Sequence, residues 1–288
     1  MSKINPFFIT RILNNTAAGH GPNLALSTAC STGTHSVGEA FLSIKMGDAD
    51  VMVCGGTESS ISPLTVGGFS RAKALCTDSN DSPETSSRPF DSSRSGFVMS
   101  EGCGILVLER YDLAIKRGAK IYGEIMGYGM SGDGYHITAP LPNGDGGYRC
   151  MKQALETAGI TPDYIGFVNP HATSTPLGDR AENAAIRRLF GDHAVNLQVG
   201  ANKGSIGHSL GGAGAIELAF SIKSAETGLI PPSINLNNMN PIDEFVLNYV
   251  PNKIQKWKYR HNGTGKLFGI KNSFGFGGCN VSIVFSSF

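Results

Sequence analysis

Apolar residues along this chain follow two patterns that alternate from one end to the other. Short apolar runs bounded by glycine or polar residues predict buried strands at 50–54, 103–109, 120–129, 164–168, 199, 270 and 281–285. Apolar or small residues at intervals of three and four predict helices at 34–46, 111–117, 146–158, 176–190 and 210–226. Because buried strands alternate with helices throughout, we predict an α/β fold.

The strands and helices form two sets that meet near Arg117 and Gly118. We therefore expect a division into residues 1–117 and 118–288. The polar stretch 77–95 is expected to be a loop. Thr175 precedes a proline at the start of one predicted helix, and we expect it to cap that helix.

The charge is nearly balanced, with 24 Lys and Arg against 23 Asp and Glu and a net charge of +1. This balance gives no reason to expect binding to nucleic acid or to an anionic membrane surface. No apolar run approaches the ~18 residues that a membrane-spanning helix needs. With 40% apolar residues, the chain is expected to fold around a packed core.

Six cysteines and seven histidines are present, and neither type is spaced as in a metal site. No two cysteines form a C-x-x-C pair, and the histidines lack the H-E-x-x-H pattern. We therefore predict no metal site. Cysteines spread through apolar and glycine-rich surroundings favour a reducing compartment over a disulfide framework.

Two familiar patterns point to other activities. Gly127-x-Gly129-x-x-Gly132 matches the dinucleotide-binding fingerprint, but the chain continues as HITAPLPNG, where no helix is expected to start. This disfavours a nucleotide site.

GHSLG at 207–211 matches the nucleophile elbow of serine hydrolases, with Ser209 as the nucleophile. Asp243 and His261 follow in the order that such a triad requires. A hydrolase therefore remains an alternative.

Four other segments carry residues suited to acyl chemistry. In STACSTGTH, Cys30 lies at a small-residue turn that leads into a helix, where we expect the helix terminus to lower the thiol pKa. In NPHATSTPLGDRAE, His171 lies between a strand and a helix. NKGSIGHSLGGAGAIE places Lys203 and His208 in a glycine-rich turn. In NSFGFGGCN, glycines let backbone N–H groups point at a developing oxyanion, flanked by Phe274 and Phe276.

Together these segments resemble the β-ketoacyl-[acyl-carrier-protein] synthases, the condensing enzymes of the thiolase superfamily. RPFD at 88–91, GFVMSEG at 96–102 and VLE at 107–109 are also typical of that family. DADVM, HITAP and LNYVP most resemble the type II elongating enzymes, particularly the mitochondrial form.

The resemblance implies the decarboxylating condensation of an acyl thioester with a malonyl-carrier protein in fatty acid elongation. Cys30 would accept the acyl group, and His171 and His208 would handle malonyl decarboxylation. Lys203 would support them with Glu182 as its carboxylate partner. The N–H of Phe276 would join that of Cys30 in an oxyanion hole, and Phe276 and Phe274 would gate the acyl pocket.

The same resemblance implies a thiolase-like layered αβαβα fold, no cofactor, and an acyl- and malonyl-loaded carrier protein as partner. The full-length form would be a homodimer. Arg71 and Lys73 are the best candidates for contact with the acidic recognition helix of the carrier protein. A mitochondrial location is expected, with the cytoplasm or a plastid as alternatives.

The resemblance also predicts that the chain is truncated. The early strands and helices of the family have no counterpart here, so residues 1–117 would be a remnant of the N-terminal half and 118–288 the C-terminal half. Residues 5–20 resemble interior family sequence. Cys279 replaces a usual Thr, and Pro170 a usual Ala.

An inactive product that only binds a partner or carrier protein is therefore a second alternative. We expect the 288-residue chain alone to be poorly soluble, with little condensing activity.

Overall fold

A computed structural model describes residues 21–239 and 245–288 of the chain. The predicted segment 5–20 and Asp243 lie outside the described residues. In the first part of the chain, a 3-10 turn at Ala29–Ser31 leads directly into a helix. The elements there are α1 (Thr32–Met46), β1 (Val51–Glu58), α2 (Pro63–Arg71), β2 (Gly102–Glu109) and α3 (Tyr111–Lys116).

The second part contains seven strands and four helices among the described residues. They are β3 (Glu124–Gly132), α4 (Asp145–Ala158), β4 (Phe167–Asn169), α5 (Pro176–Phe190), β5 (Gln198–Val199), α6 (Lys203–Ile206), α7 (Leu210–Thr227), β6 (Leu229–Ile230), β7 (Gln255–Lys256), β8 (Phe268–Gly275) and β9 (Cys279–Ser286). Further 3-10 turns lie at Pro83–Thr85, Pro162–Tyr164 and Gly191–Asn196.

The strands form three sheets. The main sheet has five strands in the order β3-β9-β8-β4-β5, in which β4 runs parallel to β5 and β8 and the other pairs are antiparallel. Strands β1 and β2 form an antiparallel two-stranded sheet, with Val53 opposite Val107. A short antiparallel pair, β6 and β7, lies apart from both.

Helices cover the main sheet on both faces. Helices α1 and α7 pack against each other and against both larger sheets, so they form a layer between the two sheets. On this side lie Val281, Ile283 and Phe285 of β9. On the other side, Ile270 and Val284 pack with apolar residues of α4 and α5. The expected layered α/β architecture is confirmed.

Small residues let the central helices approach closely. A Cβ on Gly33 of α1 would lie 2.9 Å from the backbone N of Ala215 and from the carbonyl O of Gly211, both in α7. A Cβ on Gly104 of β2 would lie 2.4 Å from the backbone N of Ile216. Larger side chains would therefore separate these elements.

Several predicted boundaries differ from the observed ones. Strand β3 begins at Glu124 rather than at residue 120, and β4 covers only 167–169 because Pro162–Tyr164 forms a 3-10 turn. Helix α2 was not predicted from the sequence. Thr175 does precede α5, but its hydroxyl bonds to that of Thr173 at 2.9 Å and does not cap the helix.

The prediction that β1 and β2 are buried strands is wrong for one face of their sheet. Alternate residues along each strand face the central helices, whereas Val53 and Val107 on the opposite face are 69% and 63% exposed. Ile105 and Val51 belong to the same exposed face. We call these four residues the outer β1–β2 face.

Candidate active site

Cys30 lies in the sharp turn that starts helix α1. Ala29 before it has a φ of +51°, which is a left-handed conformation unfavourable for a residue with a Cβ. Side-chain hydrogen bonds help to hold the turn: the Ser31 hydroxyl donates to the Thr28 carbonyl at 2.7 Å, and the Thr28 N–H donates to the Thr32 hydroxyl at 2.9 Å. The thiol-bearing residue is 7% exposed.

The thiol pKa moves in the direction opposite to that expected from the sequence. Burial raises the pKa of Cys30 from 9.0 to about 11. The positive charge of Lys203 and the backbone N–H groups of Phe276 and Cys30 oppose this rise without overcoming it. The thiol is therefore protonated at neutral pH, because desolvation of the thiolate outweighs the stabilising groups around it.

His171 follows strand β4 and is held through its backbone. The N–H groups of His171 and Ala172 donate to the two carboxylate oxygens of Glu182, both at 2.8 Å. Ala172 has a φ of +36°, so the turn is strained and the carboxylate holds it in place. Asn272 donates to the same carboxylate at 3.1 Å.

Lys203 pairs with a different carboxylate from the one expected. Its ammonium binds Oε1 of Glu217 at 2.5 Å and also donates to the His171 carbonyl at 2.6 Å. The predicted pairing of Lys203 with Glu182 is therefore wrong. Glu182 is occupied by backbone N–H groups, and Glu217 reaches Lys203 from α7.

His208 lies between α6 and α7. Its N–H donates to the Val98 carbonyl at 2.7 Å, and its carbonyl accepts from the Ser100 N–H at 3.1 Å. The imidazole is 5.2 Å from that of His171, centroid to centroid, with the rings at 81°. The Phe97 ring packs edge to face against the His208 imidazole, also with 5.2 Å between the ring centroids.

Both histidines are neutral in this surrounding. Burial, followed by the positive charge of Lys203, holds the pKa values of His171 and His208 well below 6.5. Among the described residues, Nδ1 of His171 and both ring nitrogens of His208 have no hydrogen-bond partner. A neutral imidazole carries one N–H, so each ring can donate to a group placed beside it.

The loop between β8 and β9 brings Phe276 to Cys30. Gly277 and Gly278 have φ values of +88° and +74°, which glycine adopts without strain. The N–H of Gly277 donates to the Ile137 carbonyl at 2.7 Å. Phe274, two residues before Phe276, lies 5.8 Å from the His171 ring.

These residues surround one cavity of about 370 Å³. Its lining includes Cys30, His171, Glu182, His208, Phe274, Phe276 and Lys73. A second cavity of about 300 Å³ also contacts Cys30 and Phe276, and it is lined by Leu26, Phe69 and Leu210. Cys30 therefore borders two spaces, of which one contains both histidines and the other contains neither.

The two predicted carrier-contact residues differ in their relation to the cavity. Lys73 is exposed and lines the cavity, with a φ of +55°. Arg71, the last residue of α2, is exposed but is not part of the lining. In the described ranges, neither side chain forms an ion pair.

The hydrolase alternative lacks a site. Ser209 is buried, and its hydroxyl has no hydrogen-bond partner among the described residues. His261 instead stacks on Tyr164 at 3.6 Å. The glycine pattern at 127–132 lies within strand β3, where no helix begins, so the dinucleotide interpretation also fails.

The sequence interpretation missed two charged residues, Glu217 and Lys271. Both are fully buried, and Lys271 binds Oε2 of Glu217 at 2.7 Å. The only sequence signal was that each is a charge within a run of apolar or small residues, LGGAGAIELA and LFGIKNSF. Charged residues are rarely buried unless they are paired.

No group of three or more His, Cys, Asp or Glu residues in the described part of the chain could hold a metal ion. No described helix is long and apolar enough to cross a membrane.

Two family models match the chain: the β-ketoacyl synthase N-terminal domain at residues 6–114 and its C-terminal domain at 122–237. The mitochondrial 3-oxoacyl-[acyl-carrier-protein] synthase of Arabidopsis thaliana is 48% identical over all of this chain and 63% of its own length. The Rhizobium meliloti 3-oxoacyl-[acyl-carrier-protein] synthase 2 is 47% identical, over 98% of this chain and 66% of its own length. A putative mitochondrial synthase of Schizosaccharomyces pombe is 45% identical over 99% of this chain and 68% of its own length.

Solved structures agree with these matches. A ketosynthase in complex with its type II polyketide acyl-carrier protein superposes with a TM-score of 0.92 at 31% identity, over 99% of this chain and 70% of that one. A β-ketoacyl synthase from Burkholderia phymatum superposes with a TM-score of 0.83 at 35% identity, over 91% of this chain and 60% of that one. The chain spans about two thirds of the length of these curated relatives, which are mitochondrial and bacterial at similar identity. On sequence and fold alike, the chain belongs to the β-ketoacyl synthase family, with its thiolase-like α/β fold.

Proposed function

We propose that this chain carries the active site of a 3-oxoacyl-[acyl-carrier-protein] synthase, which extends a fatty acyl chain by two carbons. The observation that carries the proposal is the single cavity lined by Cys30, His171 and His208. A thiol, two neutral imidazoles and backbone N–H groups are the parts that a decarboxylating condensation needs.

In the first half-reaction, the Cys30 thiol attacks the carbonyl of an acyl thioester. The Cys30–acyl bond forms, the carrier thiol leaves, and the proton lost from Cys30 is passed to that leaving group. Because the thiol pKa is raised to about 11, attack and proton loss must be coupled. The N–H groups of Cys30 and Phe276, which lower that pKa, are also suited to stabilise the tetrahedral oxyanion.

In the second half-reaction, a malonyl thioester in the cavity loses its carboxylate as carbon dioxide. The electron pair of the broken bond moves into the thioester as an enolate, whose oxygen accepts N–H bonds from His171 and His208. The enolate carbon then attacks the Cys30-bound acyl carbonyl. The new carbon–carbon bond replaces the carbon–sulfur bond, and the Cys30 thiolate leaves and takes up a proton from solvent.

Further features of the protein belong to the same proposal. Residues 1–117 and 118–288 would form the two halves of the ketosynthase, with Lys73 and Arg71 facing an acidic carrier protein. The partner named for the ketosynthase neighbour is an acyl-carrier protein, which supports this. We also propose a homodimer for the full-length form and a mitochondrial location, the latter supported by the Arabidopsis and Schizosaccharomyces relatives.

Formation of an acyl-enzyme tests the proposal. Incubation with a long-chain acyl thioester should add one acyl group to the intact mass, and peptide mapping should place it on Cys30. Cys30→Ser should lose the adduct, whereas Cys103→Ser, at an exposed cysteine, should keep it. Acylation of another residue, or none, would overturn the assignment.

A second candidate is a chain that binds a partner without condensing. The outer β1–β2 face favours it, because exposed apolar side chains on a sheet mark a contact surface. A chain that forms the acyl-enzyme and releases 3-oxoacyl product from malonyl thioester would exclude this candidate. A folded chain that binds the carrier protein but does neither would support it.

A further inference from the structure

Lys271 is a buried cation in the centre of the main sheet. It lies in strand β8, paired with Asn169 of β4 on one side and with Ile283 of β9 on the other. Its side chain is 0% exposed. The proposed reaction does not use it directly, since it does not line the cavity.

Two lysines share one carboxylate at this place. Glu217 of α7 binds Lys203 through Oε1 at 2.5 Å and Lys271 through Oε2 at 2.7 Å. A pair of Lys203 and Glu217 would already be neutral, so Lys271 adds an uncompensated positive charge to that pair. Glu182 is a further carboxylate whose charge opposes that of Lys271.

The same two ammonium groups hold consecutive carbonyls of the histidine turn. Lys203 donates to the His171 carbonyl at 2.6 Å, and Lys271 makes a longer contact of 3.4 Å to the Pro170 carbonyl. Lys271 also donates to the Asn272 carbonyl. Glu182 accepts hydrogen bonds from the N–H groups of the same turn. Buried charged groups therefore bind both the N–H groups and the carbonyl groups of the turn.

We propose that Lys271 is a second positioning residue of the histidine pair, which fixes the His171 turn and places a positive charge behind both imidazoles. The proposal rests on the proposed function for its effect on catalysis. A positive charge near the imidazoles strengthens their N–H groups as donors and favours the negative enolate oxygen in a low-dielectric site.

The charge of Lys271 changes within an accessible pH range. Burial lowers the pKa of Lys271 to about 8, against the opposing charge of Glu217. Lys203 lowers it further and Glu182 raises it. Below pH 8 the ammonium is charged and lowers the pKa of His171 and His208; above pH 8 that charge is lost.

The pH profile of malonyl decarboxylation by the 288-residue chain tests the proposal between pH 6.5 and 9.5. The kcat of the wild type should fall about tenfold as the pH rises through 8. This loss is smaller than the hundredfold or more expected when a group that donates directly to the enolate is removed. Lys271→Arg should abolish this decline because the guanidinium stays charged. Lys271→Met should be about tenfold slower at pH 7 and lack the decline.

The matched control is Lys266→Met, at a surface lysine 3.8 Å from Glu124. It should keep the wild-type profile. A Lys271→Met profile that matches the wild type in both rate and decline would overturn the proposal.

A measurement without turnover separates this proposal from the proposed function. In protein labelled with ¹³C at lysine Cε and histidine Cε1, the Lys271 signal, identified by its loss in Lys271→Met, should titrate near pH 8. The His171 and His208 signals should shift with the same midpoint. If the histidine signals did not shift with that midpoint, the proposed role of Lys271 would be wrong. This result does not depend on turnover, so it can be obtained even if the chain fails to decarboxylate malonyl substrate and the proposed function is rejected.

Discussion

The two larger sheets of this protein differ in how they are covered. The five-stranded sheet has helices on both faces, and residues such as Ile283 and Val284 of β9 are fully buried on opposite sides of it. The β1–β2 sheet has helices on one face only in the described part of the chain, and it presents Val53 and Val107 to solvent. Strands of similar composition thus have different burial in the two parts.

The candidate active site combines both parts. Cys30 comes from the part with the half-covered sheet, whereas His171, His208 and the Phe276 loop come from the part with the covered sheet. The Cys30 helix is nevertheless anchored to the covered sheet, because the hydroxyl of Thr34 bonds to that of Ser273 at 2.7 Å. The position of the nucleophile turn is therefore fixed by contacts with α7 and β8 and not by β1 and β2 alone.

The largest expected effect comes from substitutions that stop one half-reaction and leave the other, with one substitution in each of these two parts. His208→Ala should lower malonyl decarboxylation by about 10²–10³-fold, because the enolate loses a donor, and should leave acylation of Cys30 largely intact. Cys30→Ala should abolish acylation and leave decarboxylation. Acylation is followed by intact mass and decarboxylation by release of carbon dioxide.

His193→Gln is the control for these variants, since His193 does not line the cavity and packs on Tyr259. It should carry out both half-reactions. Wild-type decarboxylation by His208→Ala would contradict the assignment of roles.

The next effect compares the two sheets directly through one pair of substitutions. Ile283→Ala in β9 removes a fully buried side chain and should lower the free energy of unfolding by about 2–5 kcal/mol. Ile105→Ala in β2, at a side chain 56% exposed, should change it by less than about 0.5 kcal/mol. Urea unfolding followed by circular dichroism measures both.

Equal losses for the two variants would show that the outer β1–β2 face is covered in solution. Val53→Lys should then also destabilise the protein. If that face is free, Val53→Lys should raise solubility with little change in stability, because it interrupts an exposed apolar patch.

A further effect concerns the pH dependence of Cys30, whose thiol is buried against the Phe276 loop of the other part. Because its pKa is raised to about 11, alkylation of Cys30 by iodoacetamide should rise about tenfold per pH unit between pH 7 and 10. Peptide mapping is needed, since Cys103 is exposed and reacts as well. A plateau in the Cys30 rate below pH 9 would contradict a raised pKa.

The sequence was sufficient to predict the α/β class and most elements, because their periodicities are set by which face is buried. Helices α1, α5 and α7 lie within two residues of their predicted bounds. The partner of Lys203 could not be predicted: it depends on how α7 faces α6, and both Glu182 and Glu217 lie on apolar helix faces. The direction of the Cys30 pKa shift depends on burial, which local sequence around the turn does not reveal.

The smallest expected effect concerns the carrier protein. Lys73 is exposed and lines the cavity, so charge reversal there acts on the approach of an acidic partner rather than on the chemistry inside. Lys73→Glu should raise the KM for carrier-bound malonyl substrate by about three- to tenfold at low salt, with kcat unchanged. The difference should shrink at high salt because the charges are screened. The KM for the corresponding pantetheine thioester should not change, since that substrate lacks the acidic helix.

Lys116→Glu, at an exposed lysine of α3 outside the cavity lining, is the matched control and should leave both KM values unchanged. An equal rise in KM for both substrates would mean that Lys73 shapes the cavity entrance itself, and the proposed contact with the carrier protein would be wrong.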